Sequence, residues 1–266
     1  MSKNNESIGK TIGVVLAISL VCSVVVSGAA VALKPTQEQN KRLDNQRHIL
    51  DAAGLLKPGM SAKEVRAAYA AHIEPRIVEL KTGKFVKEVD GQDAAHFDQR
   101  KASKDPKLNT EVPADEDVAS IKRRSNYASV YLAKDDAGQV TSVVVPVHGN
   151  GLWSMMYAYV AVKTDGDTIS GLTYYEQGET PGLGGEVENP VWRAKWVGKE
   201  IYGKDGKPAI KVVKGGAAPG DKHGIDALSG ATLTSNGVQH TFTYWMGDNG
   251  FGPFLTNVRN GELNNG

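Results

Sequence analysis

Three hydroxyl side chains crowd one short turn toward the C-terminal end of the sequence. Residues 226–234 read D-A-L-S-G-A-T-L-T, with hydroxyls at Ser229, Thr232 and Thr234. A helix is predicted to follow, because apolar residues recur at helical spacing at Val238, Phe242 and Trp245. The first N–H groups of a helix lack internal partners and favour an anion, so the turn could hold a phosphate. From spacing alone, ordinary turn and cap roles remain the alternative.

Two other loops combine glycines with residues that could lie against a ring. Residues 148–153 read H-G-N-G-L-W, where Gly149 and Gly151 allow the backbone to approach a neighbour closely. Trp153 in this loop could contact a cofactor or pack at a sheet edge. Residues 179–184 read E-T-P-G-L-G, in which Pro-Gly predicts a turn.

The full pattern D-x-x-S-G-A-T is the flavinylation signature of FMN-binding subunits in membrane redox complexes. The chain resembles the C subunit of sodium-translocating NADH:quinone reductases and, in its FMN domain, the G subunit of Rnf complexes. In these families a flavin transferase joins FMN through its phosphate to the threonine that closes S-G-A-T, which is Thr232 here. Thr234 is the nearest rival acceptor. The resemblance extends from the N-terminal apolar stretch to Trp245 and is strongest from Asn150 onward.

The resemblance implies a role for each residue of these segments. Asp226, Ser229, Gly230 and Ala231 would serve mainly as the transferase recognition sequence. Ring contacts would come from the two loops, at Trp153, Glu179, Thr180 and Leu183. Lys214, after a predicted strand, could meet the phosphate or be solvated. The predicted cofactor site, without catalytic residues or metal, is Asp226, Ser229, Gly230, Ala231, Thr232, Leu233, Thr234, Trp153, Glu179, Thr180, Leu183 and Lys214.

The implied function is that of a covalent FMN subunit relaying electrons in a sodium-pumping NADH:quinone oxidoreductase. Its implied partners are the other subunits, a flavin transferase and membrane lipid. Two alternatives stay open, an Rnf-type electron carrier and a non-redox exported module that binds a ligand. A free-standing flavin enzyme is disfavoured, since no acid, base or nucleophile groups around the signature.

Composition narrows the function classes. The formal net charge of the 266 residues is +1, which gives no reason to expect a nucleic-acid partner. The single cysteine, Cys22, rules out an internal disulfide or a C-x-x-C site, so redox chemistry would need a bound cofactor. Neither a P-loop nor a G-x-G-x-x-G fingerprint is present.

An uncharged apolar stretch covers residues 11–33, long enough to cross a hydrocarbon core. A cleaved signal peptide is the alternative, because Ala30-Val31-Ala32 fits a cleavage pattern, but the stretch exceeds the usual apolar region of about 7–15 residues. We therefore predict a retained transmembrane helix. The resemblance implies a single-pass protein of the bacterial inner membrane with a periplasmic soluble domain.

The remaining elements must position the loops and the signature. Helices are predicted over 37–55, ending near Gly54, and from an N-cap at Ser61, whose partner Glu64 completes a capping box. A strand is predicted over 76–86 and a charged surface excursion over 87–119. An antiparallel meander follows at 128–132, 140–147, 156–162 and 169–175, with another strand at 209–213.

The predicted fold class is α+β, with one N-terminal transmembrane helix and a soluble domain of mainly antiparallel sheet and flanking helices. The predicted divisions are a cytoplasmic N-terminus (1–10), the transmembrane helix (11–33), a helical and loop-rich lead segment (34–125) and the FMN-binding domain (126–266).

Overall fold

The computed structural model describes residues 7–264. The chain divides into two compact units, Met1–Asp44 and Asn45–Gly266. Of the predicted cytoplasmic N-terminus, residues 1–6 lie outside the described part. The limits proposed for the lead segment and the FMN-binding domain stay predictions.

The first helix, α1 (Ile8–Ala52), contains the whole apolar stretch and continues beyond it. An 18-residue window of α1 has a mean hydropathy of 2.6, and none of that window is buried. By length and composition α1 could cross a membrane. It ends before Gly54, as predicted: Gly54 has a φ of 72°, and the N–H of Leu55 donates to the carbonyl of Leu50 at 2.8 Å.

The second helix, α2 (Ala62–His72), has the predicted capping box between Ser61 and Glu64. The prediction of a single strand over 76–86 is wrong. That segment forms most of a hairpin of β1 (Ile73–Glu79) and β2 (Lys84–Val86). The chain reverses at Gly83, whose φ of 67° suits glycine and whose N–H donates to the carbonyl of Glu79 at 2.8 Å.

The charged segment that follows contains only short elements. These are β3 (Glu88–Val89), β4 (Gln92–Asp93), α3 (Gln99–Ala102), β5 (Asn109–Glu111) and β6 (Arg123–Ser125). β3 pairs with β4 and β5 with β6, both antiparallel.

The predicted meander is confirmed as four long antiparallel strands. They are β7 (Tyr127–Lys134), β8 (Val140–Asn150), β9 (Met155–Lys163) and β10 (Ile169–Glu176). With the hairpin they form a six-stranded antiparallel sheet in the order β10-β9-β8-β7-β1-β2. The predicted α+β fold class is confirmed.

The C-terminal part alternates short elements with the helix predicted after the signature. In order they are a 3-10 helix (Gly184–Glu188), α4 (Pro190–Ala194), β11 (Lys211–Val213), β12 (Gly224–Asp226), α5 (Thr232–Trp245), α6 (Gly252–Arg259) and a 3-10 turn (Glu262–Asn264). β11 and β12 pair in parallel, with Val213 opposite Asp226. Neither β12 nor α6 is predicted from the sequence.

Helix α5 packs against β8 and closes one side of the sheet. Its apolar face, Val238, Phe242 and Trp245, is fully buried. Trp196 stacks on Phe242 with ring centroids 4.4 Å apart. Gly237 allows the close approach, because a Cβ there would overlap the carbonyl oxygen of Asn150 at the end of β8.

Candidate functional site

The signature forms a turn between β12 and α5. Gly230 has a φ of 71°, and a Cβ there would lie 3.0 Å from the Cδ2 of Leu183, so the E-T-P-G-L-G loop packs against the turn. The hydroxyl of Ser235 accepts a hydrogen bond from the N–H of buried Leu228 (3.0 Å) and closes the turn from the helix side. The two sequence motifs are therefore neighbours.

The two threonines at the start of α5 lie in different environments. Thr232, the first residue of the helix, is exposed. Thr234 is 1% exposed, and its hydroxyl donates to a carboxylate oxygen of Glu179 at 2.6 Å. Thr232 therefore lies at the surface, whereas the buried hydroxyl of Thr234 is closed to a reagent from solvent.

The N-terminus of α5 has no side-chain cap. Its N-cap residue is Ala231, whereas α2 is capped by the hydroxyl of Ser61. The N–H groups of Thr232, Leu233 and Thr234 make no backbone hydrogen bond within residues 7–264. Uncapped N–H groups and the helix dipole together favour an anion at this position.

Glu179 lies where three segments meet. Its carboxylate, in a residue 5% exposed, accepts hydrogen bonds from the N–H groups of Leu152 (3.1 Å), Trp153 (2.9 Å) and Ser154 (3.1 Å). The hydroxyls of Ser154 (3.2 Å) and Thr234 (2.6 Å) also donate to it. Glu179 thus joins both glycine-rich loops to the start of α5.

These hydrogen bonds keep the carboxyl of Glu179 charged. Burial raises its pKa, but the hydroxyl of Thr234 and the backbone N–H groups of Trp153, Leu152 and Ser154 together lower it more, so the net pKa lies below its ordinary value.

The same three segments carry exposed apolar side chains, which are Leu152, Trp153, Leu183 and Leu233. Trp153 is the most exposed of them, at 70%. Exposed apolar side chains on segments that meet at an uncapped helix start form a surface suited to a ligand with a planar apolar part and an anionic part.

Asp226 is bound from both sides within the chain. Its carboxylate accepts from the ammonium of Lys195 (2.6 Å) and the N–H of Ala217 (2.8 Å), and both contacts lower its pKa, the lysine most. Its backbone carbonyl accepts from the indole N–H of Trp192 (2.8 Å). The carboxylate therefore fixes the strand end that leads into the signature.

Helix α4 connects this strand end to the last turn of α1. The guanidinium of Arg193 donates to the carboxylate of Asp51 (2.5 Å) and to the carbonyl of Leu172 (2.6 Å). The hydroxyl of Thr173 donates to the same carboxylate (2.8 Å). Trp192, on the same helix, reaches Asp226.

The remaining predicted site residues lie at the edge of this arrangement. Ser229 and Thr180 are exposed, and the carbonyl of Thr180 accepts from the N–H groups of Leu183 (3.1 Å) and Gly185 (3.0 Å). Lys214 is exposed in the turn after β11, next to the residue that pairs with Asp226.

Sequence reasoning missed Ser154 and Lys195. Ser154 accepts from the N–H of Gly178 (2.7 Å) and so links the two loops directly, while Lys195 pairs with Asp226. Neither residue lies in a pattern that the sequence marks, because both act through partners distant in the chain.

Comparisons with known proteins show the family of the chain. Residues 151–247 match the FMN-binding domain family. The C subunit of the Na(+)-translocating NADH-quinone reductase of Vibrio alginolyticus is 58% identical to this chain. The match covers 99% of this chain and 100% of the Vibrio subunit. The C subunit of the Pasteurella multocida reductase is 52% identical over the full length of both.

Two solved structures are similar. The crystal structure of NqrC from Shewanella oneidensis has a TM-score of 0.76 at 41% identity, covering 83% of this chain and 99% of its own. The C subunit from Parabacteroides distasonis has a TM-score of 0.64 at 30% identity, covering 84% and 97%.

The fold and the family match thus define a protein in which a long apolar helix near the N-terminus is followed along the chain by an FMN-binding domain. The chain belongs to the family formed by the C subunits of Na(+)-translocating NADH-quinone reductases.

Proposed function

We propose that the chain is a membrane-anchored flavin subunit that carries FMN covalently on Thr232 and relays electrons in a sodium-pumping NADH:quinone reductase. The observation that carries the proposal is that Thr232 is exposed at an uncapped helix start, followed by the exposed Leu233. FMN, when bound, supplies reversible uptake of one or two electrons, and the protein supplies binding and orientation.

The helix start fits a phosphate on Thr232. No side chain caps α5, and the N–H groups of its first turn make no backbone hydrogen bond among the described residues. These donors would stabilise the negative charge of a phosphodiester there. Thr234 fits the role less well, because its hydroxyl is buried and donates to Glu179.

Attachment requires the transferase to supply a phosphoanhydride of FMN. The oxygen of Thr232 forms an ester bond to the flavin phosphorus, the anhydride bond breaks and its nucleotide phosphate leaves. The hydroxyl proton is released. Asp226 and Lys195 would hold the strand end in a fixed position while the transferase binds S-G-A-T.

The apolar side chains around Thr232 would shield one part of the ring from water. Trp153, Leu152, Leu183 and Leu233 belong to the segments that Glu179 and Gly230 bring together. Lys214, exposed after β11, would lie free to approach the phosphate or remain solvated.

Helix α1 would anchor the protein as a single inner-membrane pass with its domain in the periplasm. The length and hydropathy of α1 support an anchor. The apolar stretch over residues 11–33 is longer than the usual signal-peptide region of about 7–15 residues, which favours a retained helix. The relatives' names support assembly with the other subunits of a Na(+)-translocating NADH-quinone reductase.

The test is to co-express the full chain with a flavin transferase. A denaturing gel under ultraviolet light should show a fluorescent band, and mass spectrometry should place FMN on Thr232. Thr232→Val should give a dark band, because the acceptor hydroxyl is gone.

Thr234→Val is the matched control, since it removes the rival hydroxyl and should keep the flavin. A dark wild-type band with an unmodified peptide would overturn the proposal and leave the signature as a structural turn. Flavin retained by Thr232→Val would overturn the assigned acceptor.

A further inference from the structure

Glu179 joins the two glycine-rich loops to the start of α5, and this position gives it a role other than direct contact with a flavin. We propose that Glu179 is a positioning residue, which holds the loop carrying Trp153 against the start of α5 and so sets where the indole lies relative to the flavin. This inference rests on the proposed attachment of FMN to Thr232.

Hydrogen bonds from within the chain occupy all the acceptor positions of the Glu179 carboxylate. A carboxylate has about four lone-pair positions, and this one accepts five hydrogen bonds in a residue 5% exposed. It therefore has no acceptor capacity left for a ligand. Its contribution to a flavin site must pass through the groups that it holds.

Three consecutive N–H groups, those of Leu152, Trp153 and Ser154, converge on this carboxylate. Consecutive N–H groups that point at one anion fix the backbone conformation between them. The indole of Trp153 is 70% exposed, so packing does little to orient it. The backbone sets where the Cβ of Trp153 lies and hence the region that the indole can reach, and Glu179 holds that backbone.

The same carboxylate also fixes the distance from this loop to α5. One oxygen, Oε2, accepts from both Leu152 and Thr234, two residues after the proposed flavin acceptor. Movement of the loop away from α5 would break one of these contacts. Glu179 thus fixes the Trp153 loop and the acceptor helix relative to each other.

Two glycines make room for this carboxylate rather than for a ligand. A Cβ on Gly151 would lie 2.5 Å from Oε1 of Glu179. A Cβ on Gly184 would lie 2.6 Å from the hydroxyl oxygen of Thr234 and 2.9 Å from Oε2 of Glu179. By contrast, the Cβ position of Gly182, in the same loop, is open.

The experiment measures flavin fluorescence in the full chain, purified in detergent after co-expression with a flavin transferase. An indole that contacts an isoalloxazine quenches it, because the indole donates an electron to the excited ring and then recovers it. The four proteins are wild type, Glu179→Gln, Trp153→Ala and the double variant. In Glu179→Gln the side-chain amide would direct N–H donors at the N–H donors of the loop, so the loop should lose its anchor.

Glu179→Gln should raise the fluorescence yield and shift the visible circular dichroism of the attached flavin. Trp153→Ala should raise the yield as well, and Glu179→Gln should add no further rise to it, since both changes remove one contact. Glu186→Gln is the matched control and should match wild type. Glu186 lies in the neighbouring 3-10 helix, and within residues 7–264 its carboxylate accepts a hydrogen bond from the side-chain amide of Asn189 (2.7 Å) and no other.

An unchanged yield in Glu179→Gln, or an equal rise with and without Trp153, would overturn the positioning role while leaving the flavin attached. A wild-type chain without flavin would instead overturn the proposed function. If Glu179→Gln does not fold, Gly151→Ala tests the same contact from the loop side. It should raise the yield, and a wild-type yield in that variant would overturn the proposal.

Discussion

The two threonines of the signature differ because a helix turns by about 100° per residue. Residues two apart therefore point to nearly opposite sides of α5. Thr234 points inward to Glu179, and Thr232 remains exposed. Which hydroxyl can be modified is thus decided by the residue at which the helix begins.

The charge on Glu179 gives a prediction for stability against pH. Its pKa is lower in the folded chain than its ordinary value near 4.5. Its hydrogen bonds therefore stabilise the fold above about pH 4.5, and that stabilisation is lost as pH falls through the folded pKa. Glu179→Gln should lower the free energy of unfolding at pH 7 by about 1.5–3 kcal/mol, typical of hydrogen bonds to a charged group.

Denaturant unfolding of the flavin-free full chain in detergent, followed by tryptophan fluorescence, measures this difference. Wild type and Glu179→Gln should converge as the pH falls below about 4.5. A difference that stays constant down to pH about 3 would show that the charge of Glu179 contributes nothing.

At the residue scale, the sequence indicates which residues belong to the candidate site better than it indicates what each of them does there. The motif marks Thr232 directly, and the E-T-P-G-L-G loop marks Glu179. That the Glu179 carboxylate is buried and bonded to Trp153 and Thr234 depends on contacts between distant segments. Spacing along the chain carries no information on such contacts.

At the scale of elements, the site depends on how closely α5 approaches β8. The helix begins at Thr232 and crosses the end of β8 at Gly237. Asn150 ends β8 and leads into the loop that carries Trp153. The distance between helix and strand therefore also sets the distance between Thr232, the proposed flavin acceptor, and that loop.

Gly237→Ala should destabilise the chain although alanine favours a helix. Helix propensity would contribute about 1 kcal/mol of stability. The new Cβ would overlap the carbonyl oxygen of Asn150, and overpacking of this kind costs about 1–3 kcal/mol. We expect a net loss of about 1 kcal/mol, measured by denaturant unfolding.

Asn236→Ala is the control for that experiment. Asn236 is the exposed neighbouring position on α5, so alanine there should stabilise by about 0.5 kcal/mol through propensity alone. If Gly237→Ala stabilised the chain as much as Asn236→Ala does, the close approach of α5 to the end of β8 would not depend on a glycine at 237.

Long strands and well-capped helices are the elements that sequence predicts. β7 to β10 carry long runs of β-branched and apolar residues, and α2 carries its capping box. The sequence predicts one strand where β1 and β2 form a hairpin, because the glycine that reverses the chain lies inside an alternating pattern. β12 is only three residues long and depends on pairing with β11.

At the scale of the whole molecule, the described residues 7–264 contain one helix, α1, that is long and apolar enough to cross a membrane, and its last two turns belong to the compact unit Asn45–Gly266. Residues on either side of a single pass should lie on opposite sides of the membrane. With Cys22→Ser as background, Lys204→Cys in an exposed turn should react in cells with a membrane-impermeant maleimide once the outer membrane is permeabilised.

Lys10→Cys, at the start of α1, should react only after the inner membrane is dissolved. The reverse order of labelling would contradict a periplasmic domain. Labelling of Lys204→Cys in the soluble fraction, with loss of the N-terminal peptide, would instead show a cleaved signal peptide.

The apolar stretch predicts the anchor because it is local in sequence, and α1 contains all of it. The place of β1 and β2 in the large sheet could not be predicted in the same way. β1 pairs with β7, which lies far along the chain; Ile73, for example, lies opposite Ala133. A pairing across so long a loop depends on the rest of the fold being formed.

Helix α4 is a short link between the last turn of α1 and the strand that leads into the signature. One side holds the last turn of α1 through Arg193 and Asp51, and the other holds the strand end before the signature through Trp192 and Asp226. A small tilt of that last turn would therefore be passed through α4, as well as through the sheet, to the segment that carries the proposed flavin acceptor. A mechanical load on that turn would reach the proposed flavin site by a route only a few residues long.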